Sequence, residues 1–108
     1  MKIYNKLVRD KIPEIISAKG GVATTRVLSD SEYRLHLKLK LVEESAEAVE
    51  ASSNEAILGE LADLNEVLEM LMVQHGLTII DLRAAKAKKR AERGGFEKRI
   101  FLEKVDEN

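Results

Sequence analysis

Five acidic residues carry the chemistry this sequence could perform. Glu43, Glu44 and Glu47 stand as EExxE, and Glu60 and Asp63 follow as ExxD. Residues three apart on a helix share a face, so Glu44 with Glu47, and Glu60 with Asp63, each make a carboxylate pair. Most helical glutamates belong to solvated faces, but the apolar periodicity argues against that here. At about 100° per residue, Leu64, Leu71, Val67, Ala56 and Ile57 fall within about 60° of Glu60. Glu60 therefore lies mid-stripe among apolar residues, with Asp63 at the stripe's edge. Glu55, Glu66 and Glu69 fall on the opposite face, where charge meets water. Upstream, Leu35, Leu39, Val42, Ala46 and Val49 make one apolar stripe, and Leu37, Leu41 and Ala48 make another. Lys40, Glu43, Glu44 and Glu47 fill the sector between them.

Two helices thus aim carboxylates toward the core. Unpaired buried carboxylates are costly, and like charges at close range resist ionisation. Two arrangements relieve that cost. One is a divalent cation: an all-oxygen, carboxylate-rich set suits Mg²⁺ or Mn²⁺, and Mg²⁺ keeps positions for water and substrate phosphates. That arrangement points to phosphoryl chemistry. The other is a buried ion-pair network in which Lys40 and nearby arginines neutralise the acids, as in a non-catalytic helical interaction module. Divalent-metal binding separates the two.

A polyphosphate substrate needs cations from the protein as well. Lys40 lies among the acids, and Arg9 and Lys11 flank Asp10. Lys86, Lys89, Arg90 and Arg93 recur at helical spacing on one face. Arginine would bind phosphate through its planar fork and lysine as a point charge. The same four residues also suit a solvated face near a helix C-terminus. A nucleic-acid role for KAKKRAER is disfavoured by the absence of interleaved aromatics.

The elements that must position these groups are helices. Sparse punctuation at Pro13, Gly20-Gly21, Ser52-Ser53-Asn54, Gly76 and Gly94-Gly95 cuts the chain into helix-sized pieces. Asp10 to Lys19 suits a short helix capped by Asp10. Ser29 and Glu32 offer a capping box for a long helix reaching about Ser52. Asn54 caps a third helix ending at Gly76, and Thr78 caps a fourth ending at Gly94. Leu35, Leu37, Leu39 and Leu41 alternate with polar residues like a strand, but helix-forming Leu and Lys and the upstream capping box favour helix. Val22 to Leu28 and Lys98 to Val105 read as two short strands that could pair. The expected fold is mainly α, a bundle of about four helices with those two strands near its ends, in one domain spanning 1–108.

Composition bounds the rest. The 108 residues are 44% hydrophobic, enough for a thin core, so self-association is expected. Charged residues reach 34%, yet 18 Lys+Arg nearly balance 19 Asp+Glu. Bulk positive charge for nucleic acid is therefore absent. There is no cysteine, which excludes thiolate catalysis and Cys-built zinc sites. The two histidines, His36 and His75, are far apart and read as ordinary surface or helix C-terminal residues, not ligands. No signal peptide or membrane-length apolar run stands out, so the cytoplasm is the expected compartment.

Lys40 to Glu47 (KLVEESAE), followed twelve residues later by ELAD at 60–63, resembles the EExxE…ExxD signature of the all-α nucleotide pyrophosphohydrolases. That superfamily holds MazG, the dimeric dUTPases, dCTP pyrophosphatase and phosphoribosyl-ATP pyrophosphohydrolase. Tyr4 to Ile16 (YNKLVRDKIPEII) and Lys88 to Phe96 (KKRAERGGF) resemble its phosphoribosyl-ATP pyrophosphohydrolase-like or MazG-like branch. The resemblance implies a helical bundle and Mg²⁺-dependent hydrolysis of a nucleoside triphosphate to monophosphate and pyrophosphate, in a house-cleaning role. It implies Glu44, Glu47, Glu60 and Asp63 as metal ligands, with Glu43 orienting or deprotonating water. It also implies a homodimer or tetramer. The alternative substrate is phosphoribosyl-ATP, in histidine biosynthesis.

Overall fold

A computed structural model describes residues 1–107. Four helices follow in order: α1 (Ile12–Ala18), α2 (Asp30–Glu50), α3 (Asn54–Gln74) and α4 (Ile79–Arg93). The chain forms two compact units, Met1–Gly76 and Leu77–Asn108.

In the first unit α2 packs on α3. Residues 51–53 link them, so the two acid-bearing helices form a hairpin. The strand-like alternation of Leu35 to Leu41 lies inside α2, where helix propensity and the cap prevail. Ser29 accepts from the Glu32 backbone N–H while Glu32 reaches back to the Ser29 N–H, completing the expected capping box. Arg26 braces the same glutamate at 2.9 Å.

Two caps differ from expectation. Ser53, not Asn54, caps α3: its hydroxyl accepts from the Ala56 N–H at 3.1 Å, and Asn54 is the first helical residue. Asp10 does not cap α1. The Ile12 N–H donates to the Arg9 carbonyl at 3.0 Å, so a tight turn occupies Asp10–Lys11 and the helix starts after it, with Pro13 in its first turn.

Leu37 is the one apolar residue fully buried among the described residues, at 3% exposure. Leu41 and Ala48 lie half-buried on the same face of α2, and Leu64, Val67 and Leu71 are half-buried on α3. The second stripe of α2 is bare: Leu39 is 52%, Val42 70% and Val49 86% exposed.

The second unit is built on α4. Thr78 and Asp81 form a reciprocal capping box, and Arg90 and Arg93 occupy the last turn, as the helix dipole favours. Gly94, at φ 82°, ends the helix in the left-handed region that glycine adopts freely.

The two expected strands, Val22 to Leu28 and Lys98 to Val105, are absent: the described residues contain none. Each stretch runs without a ladder partner, and Val22, Val27, Ile100 and Phe101 are all exposed. A turn from the Arg99 N–H to the Phe96 carbonyl interrupts the second stretch. A lone two-stranded ribbon without a covered face is marginal in water, so β-branched composition alone does not hold one. Among the described residues no helix is long and apolar enough to cross a membrane.

Candidate metal and phosphate site

The α2–α3 hairpin brings three of the expected acids together. Carboxylate oxygens of Glu44, Glu47 and Glu60 all lie within 4.8 Å of one another. Glu44 is 7% exposed, Glu60 is half-buried and Glu47 is open to solvent. Glu55 and Glu69 are exposed on the far face, as the periodicity predicts; Glu66 is exposed too, but it lines the same cavity as Glu44 and Asp63.

The acids are incompletely neutralised. Lys40 Nζ donates to Glu43 Oε2 at 3.2 Å and stands 3.7 Å from Glu44 Oε1. Glu44 Oε2 and Glu60 Oε2 are buried without any hydrogen-bond partner. Desolvation, then the charge of Glu47, pushes the Glu44 carboxyl up to about 7; Asp63 adds to the push and Lys40 only partly opposes it. Glu60 is raised as well, first by a proton shared with Glu47, then by desolvation and by the charges of Glu47 and Asp63. The set fits a hard divalent cation: all donors are carboxylate oxygens lying close together, and Glu44 and Glu60 each keep an oxygen without a partner.

Glu43 sits differently. Burial pushes it up, but Lys40 and Lys6 outweigh that and hold it below the usual carboxylate range. Lys6 Nζ donates to its Oε1 at 3.3 Å. Asp63, on the same face of α3 as Glu60, lies outside the three-acid set and accepts from Arg9 Nη2 at 2.8 Å.

Beside the acids is a cavity of about 390 Å³. Arg9, Lys11 and Lys40 line it together with Tyr33, Glu44 and Asp63. Three of the expected phosphate-binding cations therefore share one cavity wall. The other four, Lys86, Lys89, Arg90 and Arg93, belong to the second unit and are exposed there. Arg90 pairs with Glu97 at 2.6 Å. Sequence reasoning did not single out Lys6, although it lies within the Tyr4 to Ile16 stretch that carries the resemblance, and it gave Tyr33 no place beside the acids.

A helical hairpin presenting EExxE and ExxD carboxylates to one another is the architecture of the all-α MazG-like nucleotide pyrophosphohydrolases. Residues 6–90 match the phosphoribosyl-ATP pyrophosphohydrolase family, and the chain belongs to that family, a branch of this superfamily. Its class is therefore that of hydrolases acting on phosphoanhydrides. An uncharacterised protein of Mycolicibacterium smegmatis is 42% identical over 74 residues, which cover 67% of this chain and 76% of that protein. No solved structure matches the chain.

Proposed function

We propose that this protein hydrolyses a nucleoside triphosphate to the monophosphate and pyrophosphate, in the cytoplasm, with Mg²⁺ or Mn²⁺ as cofactor and residues 1–108 acting as one catalytic domain. One observation carries this reading: Glu44 is buried beside Glu47 and Glu60 with one oxygen unpartnered. An unpartnered buried carboxylate oxygen costs stability, and a bound cation would relieve that cost.

Glu44, Glu47 and Glu60 would hold the ion, with Asp63 as a fourth ligand. When bound, it neutralises phosphate charge and lowers the pKa of an attacking water. Lys11, Lys40 and Arg9 line the cavity and bind the phosphate chain. Glu43 accepts a hydrogen bond from the water that attacks the α-phosphorus. Its lowered pKa suits aiming that water more than removing its proton. The water oxygen bonds to the α-phosphorus as the α–β anhydride bond breaks, its proton passes to bulk water, and pyrophosphate leaves.

The functional unit in this reading is a homo-oligomer, most simply a two-fold dimer. The bare Leu39, Val42 and Val49 stripe of α2 is the surface a second copy would cover.

The test is a panel of canonical and modified nucleoside triphosphates with Mg²⁺, read by pyrophosphate release. Phosphoribosyl-ATP belongs in the same panel, because the matched family favours it as the second reading. Turnover of phosphoribosyl-ATP alone would move the assignment to histidine biosynthesis. No turnover and no divalent binding would favour the interaction module.

A further inference from the structure

The segment before α1 is tied to both acid-bearing helices. Lys6 holds Glu43 of α2 at 3.3 Å, and Arg9 holds Asp63 of α3 at 2.8 Å. Asp63 follows Glu60 at the spacing that brings Glu44 and Glu47 into one set, yet it stands outside that set. The partner that distinguishes it is the Arg9 guanidinium. That ion pair is half-open to water, so breaking it costs little. Arg9 also lines the cavity shared with Lys11 and Lys40. A guanidinium released from Asp63 therefore has a second place for its charge, beside two other cations on the wall of a cavity that suits a phosphate chain.

We infer that Arg9 is an exchangeable counter-ion: it neutralises Asp63 in the metal-free chain, yields that carboxylate to a divalent cation, and then binds substrate phosphate. This rests on the proposed carboxylate metal site and adds an order to it, ion before phosphate. The same residue opposes metal binding and favours phosphate binding. A purely structural tether would do neither.

The experiment titrates the full chain with Mn²⁺ by calorimetry, then titrates inorganic tripolyphosphate into the Mn²⁺-loaded protein. Parent, Arg9→Gln, Arg9→Lys and Glu60→Gln are compared. Arg9→Gln should bind Mn²⁺ about two- to five-fold more tightly, the loss of one exposed competing pair. It should bind tripolyphosphate about ten-fold more weakly, the loss of one charge-assisted contact. Arg9→Lys keeps the charge and should bind Mn²⁺ near the parent value. Unchanged or weaker Mn²⁺ binding by Arg9→Gln overturns the exchange, as does unchanged tripolyphosphate affinity. If Glu60→Gln loses Mn²⁺ while Arg9→Gln matches the parent, the metal site stands and the role of Arg9 is rejected. If the parent binds no Mn²⁺, both fall.

Discussion

Lys40 Nζ stands 3.7 Å from Glu44 Oε1, while Glu44 Oε2, on the same carboxylate, has no hydrogen-bond partner. The ammonium is already shared with Glu43 at 3.2 Å. One cation between two acids, with Glu47 and Glu60 behind them, leaves a negative surplus at the centre of the hairpin. That surplus fixes the direction of several measurements.

The first is pH dependence. The folded Glu44 carboxyl titrates at about 7, above its ordinary value of 4.5. Between those values the folded state holds more protons than the unfolded one, so stability falls as pH rises through the window and is fully present below it. Glu60, also raised, acts in the same direction. Metal-free protein should thus melt at lower temperature at about pH 8 than at about pH 5. Glu44→Gln should remove most of that slope, and millimolar Mg²⁺ should offset it by binding the folded chain alone. A melting temperature that rises across this window would contradict the burial of an unpaired Glu44.

Replacing Glu60 separates catalysis from stability. Metal-free Glu60→Gln should be at least as stable as the parent, since Gln keeps the shape and removes a repelled charge. Pyrophosphohydrolase activity should drop by about 10²-fold or more. Glu69→Gln is the control: Glu69 is exposed on the opposite face, and its oxygen accepts only from Asn65. Thermal melts beside pyrophosphate release decide the matter. Unfolding of metal-free Glu60→Gln, with Glu69→Gln intact, would make Glu60 a structural partner.

Assembly is read from the bare stripe of α2. The parent should scatter light as a dimer or larger at micromolar concentration. Val42→Glu should shift it to monomer while the helical signal persists, because Val42 is already 70% exposed within one chain. A monomeric parent would remove the oligomer from the proposal.

The cap of α3 gives a local test. Ser53→Ala should cost about 1 kcal/mol and Asn54→Ala much less, because only Ser53 satisfies a free N–H. Denaturant melts of the two variants decide which residue caps.

The helices and the acids were legible in the sequence because both rest on local periodicity. Glu60 fell mid-stripe by arithmetic alone, and Glu44 emerged buried beside it. The α3 cap was displaced by one position because Ser52-Ser53-Asn54 offers three capping side chains in a row. The two strands misled because β-branched composition reports propensity, not the presence of a partner. Arg9–Asp63 was invisible for another reason: its ends are 54 residues apart, and nothing in local pattern encodes such a pairing. The splitting of the apolar faces of α2 was readable, but not which face the chain itself would cover.

Residues 51–53 join the two acid-bearing helices with almost no slack. Contacts between sequence neighbours close at low entropic cost and tend to form ahead of long-range ones. Glu44 and Glu47 should then face Glu60 while the remainder of the chain is still disordered, so repulsion burdens the folding barrier as well as the final state. Divalent ions should accordingly accelerate refolding instead of only retarding unfolding. In a chevron plot Mg²⁺ would lift the refolding limb, and Glu60→Gln would lift it without the ion.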